Sequence, residues 1–305
     1  MIRSPESSDD GVRRHRLSEF LQNDAEKQEL IKGIIKRLHD GEPVERVRRD
    51  FARLIADVSP TEIASMEQQL IQEGMPVAEV QRLCDVHVDV FKNAMSKEGG
   101  TVSKISGHPV HTYRMENREA KRRVKALVKQ AKSLVRSKFG ESAVLSFARE
   151  LDEFADIEKH YARKENQLFP YLERVGFTGP STVMWGKHDE IRAVLKLVRT
   201  AFADRNGEAV LSAVKDLSTR VKKMIFMEER ILFPNAMKRL GDDEWVAIRR
   251  GEPEIGYAWV TPGDVWDANM VAGNAAPRST AGEKPAQPRS VTGSAIPVPF
   301  LAIPR

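Results

Sequence analysis

The chain of 305 residues contains one cysteine, Cys84. That excludes an intramolecular disulfide and any metal cluster held by cysteine alone. Any metal here takes histidine and carboxylate ligands, a set that favours iron, manganese or zinc over copper(I) or an iron–sulfur cluster. No apolar run approaches the roughly 18–20 residues needed to cross a bilayer. Residues 1–6 lack the apolar core of a signal peptide. The expectations are therefore no membrane span and a cytoplasmic location. No glycine-rich phosphate, flavin or nicotinamide motif is visible either. Aromatic residues are scarce at 7%. None interleave with the basic cluster, so nucleic acid is not an expected partner despite a net charge of +5.

What is present is helical pattern. Leu30, Ile31, Ile34, Ile35 and Leu38 recur at helical spacing, followed by Val44, Val47, Phe51, Leu54 and Ile55. Ser59-Pro60-Thr61-Glu62 carries a cap, a first-turn proline and an acidic first turn. Met75-Pro76 opens a further helix bearing Val80, Leu83, Val86 and Val90. Residues 17–96 thus predict a small helical domain. Gly99 and Gly100 mark a linker.

Four longer patterns predict helices over about 109–138, 142–172, 181–204 and 207–239, with breaks at Gly140, Gly176–Pro180 and Asn206-Gly207. Short connections make neighbours antiparallel, so residues 107–242 predict an up-down four-helix bundle. The first pattern carries ten basic residues, from Arg114 to Lys138, that read as a solvated helix face. Residues 243–269, with Trp259 and Trp266, predict an irregular segment packed on the bundle. Residues 270–305 are rich in Ala, Pro, Gly, Ser and Thr and predict a disordered tail. The fold class is all-α.

One repeat organises the bundle. Glu165-x-x-Leu168-Phe169-Pro170 returns as Glu229-x-x-Leu232-Phe233-Pro234, 64 residues later. Leu and Phe fill a core and proline limits the helix. A weaker echo links Glu116-Asn117-Arg118 to Lys187-His188-Asp189. The bundle therefore reads as a doubled helical hairpin, and a two-metal site on its pseudo-twofold axis would draw ligands from both halves. Met224 and Glu228 are four residues apart and share a helix face, whereas His160 and Glu165 are five apart, an offset of about 140°. That pair converges only on different metals or on a bridging position.

Four of the seven histidines fall in the bundle: His108, His111, His160 and His188. Together with the Glu-rich motifs they resemble the hemerythrin-like, HHE cation-binding family. The matching pieces are His108-Pro-Val-His111 with Glu116-Asn117, His160-Tyr-x-x-Lys164-Glu165-x-x-Leu-Phe-Pro, Lys187-His188-Asp-Glu-Ile-Arg, and Glu228-Glu229-x-Ile-Leu-Phe-Pro. Leu83-Cys84-Asp85-Val86-His87 resembles the uncharacterised helical domain that precedes this bundle in many proteins.

The resemblance implies a non-haem iron centre of two ions, zinc or manganese being the alternatives. It implies dioxygen or nitric oxide as ligand, and a protein partner or electron donor. Carried over by position, His111, His160 and His188 are the nitrogen ligands, with His108 a fourth. Glu116, Glu165 and Glu228 or Glu229 are the carboxylates. Three departures stand out. Asn117 and Met224 occupy positions where the family has histidine, and Lys164 one where it often has glutamate.

The expected function is oxygen, nitric oxide or redox sensing, or iron handling. The alternatives are an enzyme that delivers iron to damaged clusters or reduces nitric oxide or peroxide, and a helical interaction module with a degenerate metal site. Cys84 and His87, three residues apart, read either as buried thiol and half-exposed histidine or as a redox or ligand pair.

Overall fold

In the computed structural model, residues 105–267 are described continuously, together with 40–50, 60–78, residue 80 and five positions between 29 and 37. Ser59, Cys84, His87 and the tail from 268 lie outside the described residues. Among the described residues every regular element is helical.

Among the described residues, the helices α1 (Val44–Asp50) and α2 (Pro60–Gln72) precede the bundle. The first bundle helix is α3 (Pro109–Arg136). The second comprises α4 (Glu141–Phe154), α5 (Ile157–Arg163), a π turn (Lys164–Leu168) and α6 (Phe169–Arg174). The third is α7 (Gly179–Ala203). The fourth comprises α8 (Gly207–Met227), a second π turn (Glu228–Leu232) and α9 (Phe233–Arg239). These bounds agree closely with the hydrophobic periods.

The stripe Val110, Tyr113, Ala120, Val124, Leu127, Ala131 and Leu134 on α3 is buried at the helical repeat. It packs against α4 on one side and α8 on the other, and α8 also packs along α7. The Phe147 and Phe202 rings, 4.9 Å apart, close the remaining side between the second and third bundle helices. Outside the bundle, α2 lies on α7, where Gly179 permits the approach. A β-carbon there would fall 2.8 Å from the Gln68 side chain.

The segment expected to be irregular is partly regular. Residues Asp242–Ile255 form a helix, α10, whose Glu244 side chain accepts from the Gly241 N–H. Aromatics and prolines just beyond masked its short amphipathic pattern. Gly256 then turns the chain in the left-handed region at φ 88°, and residues 257–267 run back over the bundle as a strap.

The two π turns coincide with the sequence repeat. In each, the Phe before proline donates its N–H five residues back, Phe169 to the Lys164 carbonyl and Phe233 to the Glu228 carbonyl. Proline explains the widening. Pro170 and Pro234 have no N–H to give, and their rings crowd the carbonyl four residues back, so a regular turn is penalised at that point.

Candidate functional site

The widened turn has a direct consequence for side-chain direction. Consecutive residues of a regular helix point about 100° apart, so two neighbours rarely both face a core. Lys164 and Glu165 do: both are buried, the lysine completely. They grip opposite nitrogens of one ring. Lys164 Nζ donates to His188 Nε2 at 2.9 Å, and His188 Nδ1 meets Glu165 Oε1 at 2.6 Å. Because an ammonium only donates, His188 Nε2 carries the lone pair and Nδ1 the hydrogen. Burial, with Lys164 and Arg192 nearby, pushes the His188 pKa well down, in keeping with a neutral ring. Tyr161 stacks on it at 4.2 Å and 13°.

His160 is held similarly. Its Nδ1 lies 2.8 Å from Glu116 Oε2, and its Nε2 points to Glu228 Oε2 at 3.2 Å. Tyr113 meets the ring edge-on at 5.5 Å. Glu228 also accepts from Lys164 Nζ through its other oxygen. Burial pushes the Glu228 carboxyl up, but the Lys164 ammonium and the His160 ring outweigh it and hold the pKa at about 2. Lys164 itself is held below the usual lysine range by its burial, against the pull of Glu228.

Arginines complete the arrangement. Arg163 grips Glu116 with two bonds of 2.7 and 2.8 Å, and Arg192 grips Glu165 with two of 3.0 and 2.9 Å. Burial would raise the Glu116 pKa, but His160 and Arg163 bring it below the usual carboxylate range. The strap reaches this point too. The Ala258 N–H donates to Glu116 Oε1 at 2.7 Å, and the Gly256 carbonyl accepts from Arg163 at 3.3 Å. Arg163 lies between the Tyr113 and Tyr257 rings, 4.6 Å from each centroid, and 3.5 Å from the buried Glu252 of α10.

Of the eight residues singled out by the sequence, Glu116, His160, Glu165, His188 and Glu228 converge here, from all four bundle helices. The other three do not join them. His108 caps α3 instead: its Nδ1 accepts the Val110 N–H at 3.1 Å, and its ring packs against Trp245 and Trp266. Burial lowers its pKa to about 4, so it is neutral and able to accept. His111 is half-buried beside Arg114 and Arg118, its Nδ1 without a hydrogen-bond partner. Glu229 turns outward toward Lys121, 3.5 Å away.

The sequence motifs do not nominate Arg163 and Arg192. Each follows a centre histidine by helical spacing, three residues after His160 and four after His188, a signal that could have found them. Glu252 and the Ala258 amide carried no such signal, because they come from beyond the bundle.

Residues 108–236 match the hemerythrin HHE cation-binding domain. The bundle is a hemerythrin-like HHE domain. Residues 31–97 match a family of unknown function (DUF438), preceding it in the order expected. No curated protein matches the chain. Hemerythrin-like domains bind a metal, usually iron, so the match supports cation binding in general.

The hemerythrin-like centre of this chain does not fit two iron ions as it stands. Its three carboxylates are already matched one to one: Glu116 by Arg163, Glu228 by Lys164, Glu165 by Arg192. Adding two multivalent cations would leave a large uncompensated charge in a buried site. Among the described residues, no three His, Cys, Asp or Glu side chains group closely enough to hold a metal. The Lys164 ammonium stands between His188 and Glu228. Met224 and Asn117, at positions where the family has histidine, are buried, and Asn117 Nδ2 has no hydrogen-bond partner.

Proposed function

We propose that this protein is a helical interaction module whose hemerythrin-like bundle works without a resident metal, its centre being closed by its own cations. One observation carries the reading: the buried Lys164 ammonium bonds both His188 and Glu228, two of the groups the family resemblance nominates as ligands. A buried ion-pair network of this kind is costly relative to an apolar core, and it fixes four helices in one register. The bundle also has a neighbour to act upon. Helix α2 packs on α7 and on the second π turn, with Gln68 donating to the Gly176 carbonyl at 2.7 Å.

The test is metal analysis of protein purified anaerobically, then loaded with ferrous iron, desalted and exposed to air. The expected result is iron well below one ion per chain and no oxo-bridged absorption band. Two tightly held irons with that band would overturn the reading.

A second reading keeps the iron. Five imidazole and carboxylate side chains do converge from all four bundle helices, and this favours a non-haem iron site for oxygen, nitric oxide or redox sensing, or for iron handling. It requires Lys164 to leave the centre when iron enters. A ferrous complex with nitric oxide, detected by its electron paramagnetic resonance signal in the unmodified protein, would decide for it.

A further inference from the structure

The outer face that α3 and α8 share carries charge of one sign. No acidic residue separates Glu119 from Glu141. On α3 the exposed Arg118, Lys121, Lys125, Lys129, Lys132 and Arg136 follow one another at spacings of three or four. The helical repeat sets them in one row roughly 27 Å long. The row lies on the flank of α3 turned to α8, where Lys121 meets Glu229. Antiparallel α8 adds the exposed Lys222 and Lys215, one and two heptads before Glu229 and so on its flank turned to α3. Glu208 and Glu229 stand at the ends of the α8 row. Eight cations against these two acids give the face +6, and the whole chain carries +5. The basic excess is therefore gathered here. Other cations of the bundle surface are built differently: Arg122, Arg123, Lys159, Arg192, Arg199 and Arg220 each have a carboxylate partner. Among the described residues, Arg118, Lys125, Lys129, Lys132, Arg136, Lys215 and Lys222 have none. Like charges one turn apart destabilise a helix, and a surface that needs only solubility mixes both signs.

We infer that the α3–α8 face is a docking surface for a membrane rich in anionic phospholipid. Shape chooses among the polyanions. The two helices run side by side, and the step of about 100° per residue sends all eight cations outward on the same side of the bundle. Their charges form a sheet and not a cleft. A planar array meets a planar layer of headgroups with every cation, whereas a cylindrical duplex touches it along one line. Flanked by α4 and α8, α3 cannot enter a groove of nucleic acid either. No exposed aromatic side chain stands in the two rows to stack on unpaired bases. The apolar anchors that dominate binding between proteins are missing as well. The exposed large apolar side chains, Leu145, Trp185 and Leu197 among them, belong to other elements. For the same reason the face rests on headgroups without inserting into the acyl layer. Its affinity is electrostatic, gaining about fivefold for each Lys or Arg brought to the lipid surface, and salt screens it. A face that reads as solvated in the sequence thus acquires a partner. The inference goes beyond the metal-independent reading and holds whatever occupies the bundle centre.

The experiment sediments the full chain with vesicles of phosphatidylcholine, alone or with about one-third phosphatidylserine. The expected result is pelleting with the serine-containing vesicles at low salt, release at high salt, and no pelleting with phosphatidylcholine alone. Two triple variants, checked for helical content by circular dichroism, locate the surface. Lys125→Gln, Lys129→Gln and Lys132→Gln together should weaken binding about a hundredfold. Lys159→Gln, Lys196→Gln and Arg199→Gln together remove the same charge from α5 and α7, on the opposite side of the bundle, and should leave binding nearly unchanged. Absence of pelleting overturns the inference. An equal loss in both triple variants also overturns it, because net charge and not this face would then be responsible. Duplex DNA of about 20 base pairs and polyglutamate are titrated at the same salt. If either binds more tightly than the vesicles and loses its binding in the first triple variant, the face serves that polyanion and the lipid assignment falls.

Discussion

Lys164 Nζ lies 2.9 Å from His188 Nε2, so a lysine donates to the lone pair that a metal would otherwise take. The same ammonium pairs with Glu228, and the Lys164 and Glu228 side chains are fully shielded from solvent. That relationship organises the centre, and the first prediction concerns it.

Replacing Lys164 by methionine removes the ammonium but leaves Glu228 charged and buried. Loss of one partner of a buried pair costs about 3–5 kcal/mol. Adding Glu228→Gln to the same chain recovers a substantial part, because the stranded charge is gone. Urea denaturation of both single variants and the double variant measures the coupling. Strictly additive losses would mean that the two groups do not depend on each other.

Arg163 joins the bundle to the strap through Glu116, Gly256 and Glu252. Arg163→Lys preserves the charge but cannot reproduce the planar two-bond grip. We expect a loss of about 2–3 kcal/mol and faster amide exchange across residues 242–267. Unchanged exchange in that segment would show that the strap is held by its tryptophans alone.

Glu252 sets a pH dependence. Burial pushes its carboxyl from 4.5 up to about 7, against the pull of Arg163 and Arg249. Between those values the folded chain retains a proton that the unfolded chain has released. Stability from this group is therefore greatest below about pH 4.5 and falls by about 3 kcal/mol as pH rises to 7. His108, lowered from 6.5 to about 4, works in the opposite sense, losing stability as pH falls through that window. Its contribution cancels when Glu252→Gln is compared with the unmodified protein. The difference between their melting temperatures should shift in favour of the variant from pH 4.5 to 7. A constant difference would place an ionised Glu252 in the folded state throughout.

His108 is assigned to helix capping and packing, away from the centre. His108→Ala should cost about 1 kcal/mol for the lost cap, and more for its contacts with Trp245 and Trp266. Urea denaturation of the variant beside the unmodified protein measures the loss, and unchanged stability would show that neither the cap nor the tryptophan contacts hold the helix start.

The hydrophobic period determined the bundle by itself. Each helix buries a stripe that repeats every 3.6 residues, and Gly140, Gly176 and Asn206-Gly207 stop the helices where the pattern stops. The Leu-Phe-Pro repeat marked the two equivalent places where the helices change their winding. The resemblance of the histidine and glutamate motifs to the hemerythrin-like family brought Glu116, His160, Glu165, His188 and Glu228 into view, carried over by position. Tertiary structure decided what lies between them. The first π turn brings Lys164 and Glu165 inward together, which a regular helical wheel disfavours. The ring orientations of His160 and His188 depend on carboxylates contributed by other helices or by the widened turn. The strap's Ala258 amide reaches Glu116 across 142 residues of sequence. Sequence patterns encode the angle around one helix; whether a cation at the crossing of four helices is a metal or a lysine is set by packing in three dimensions.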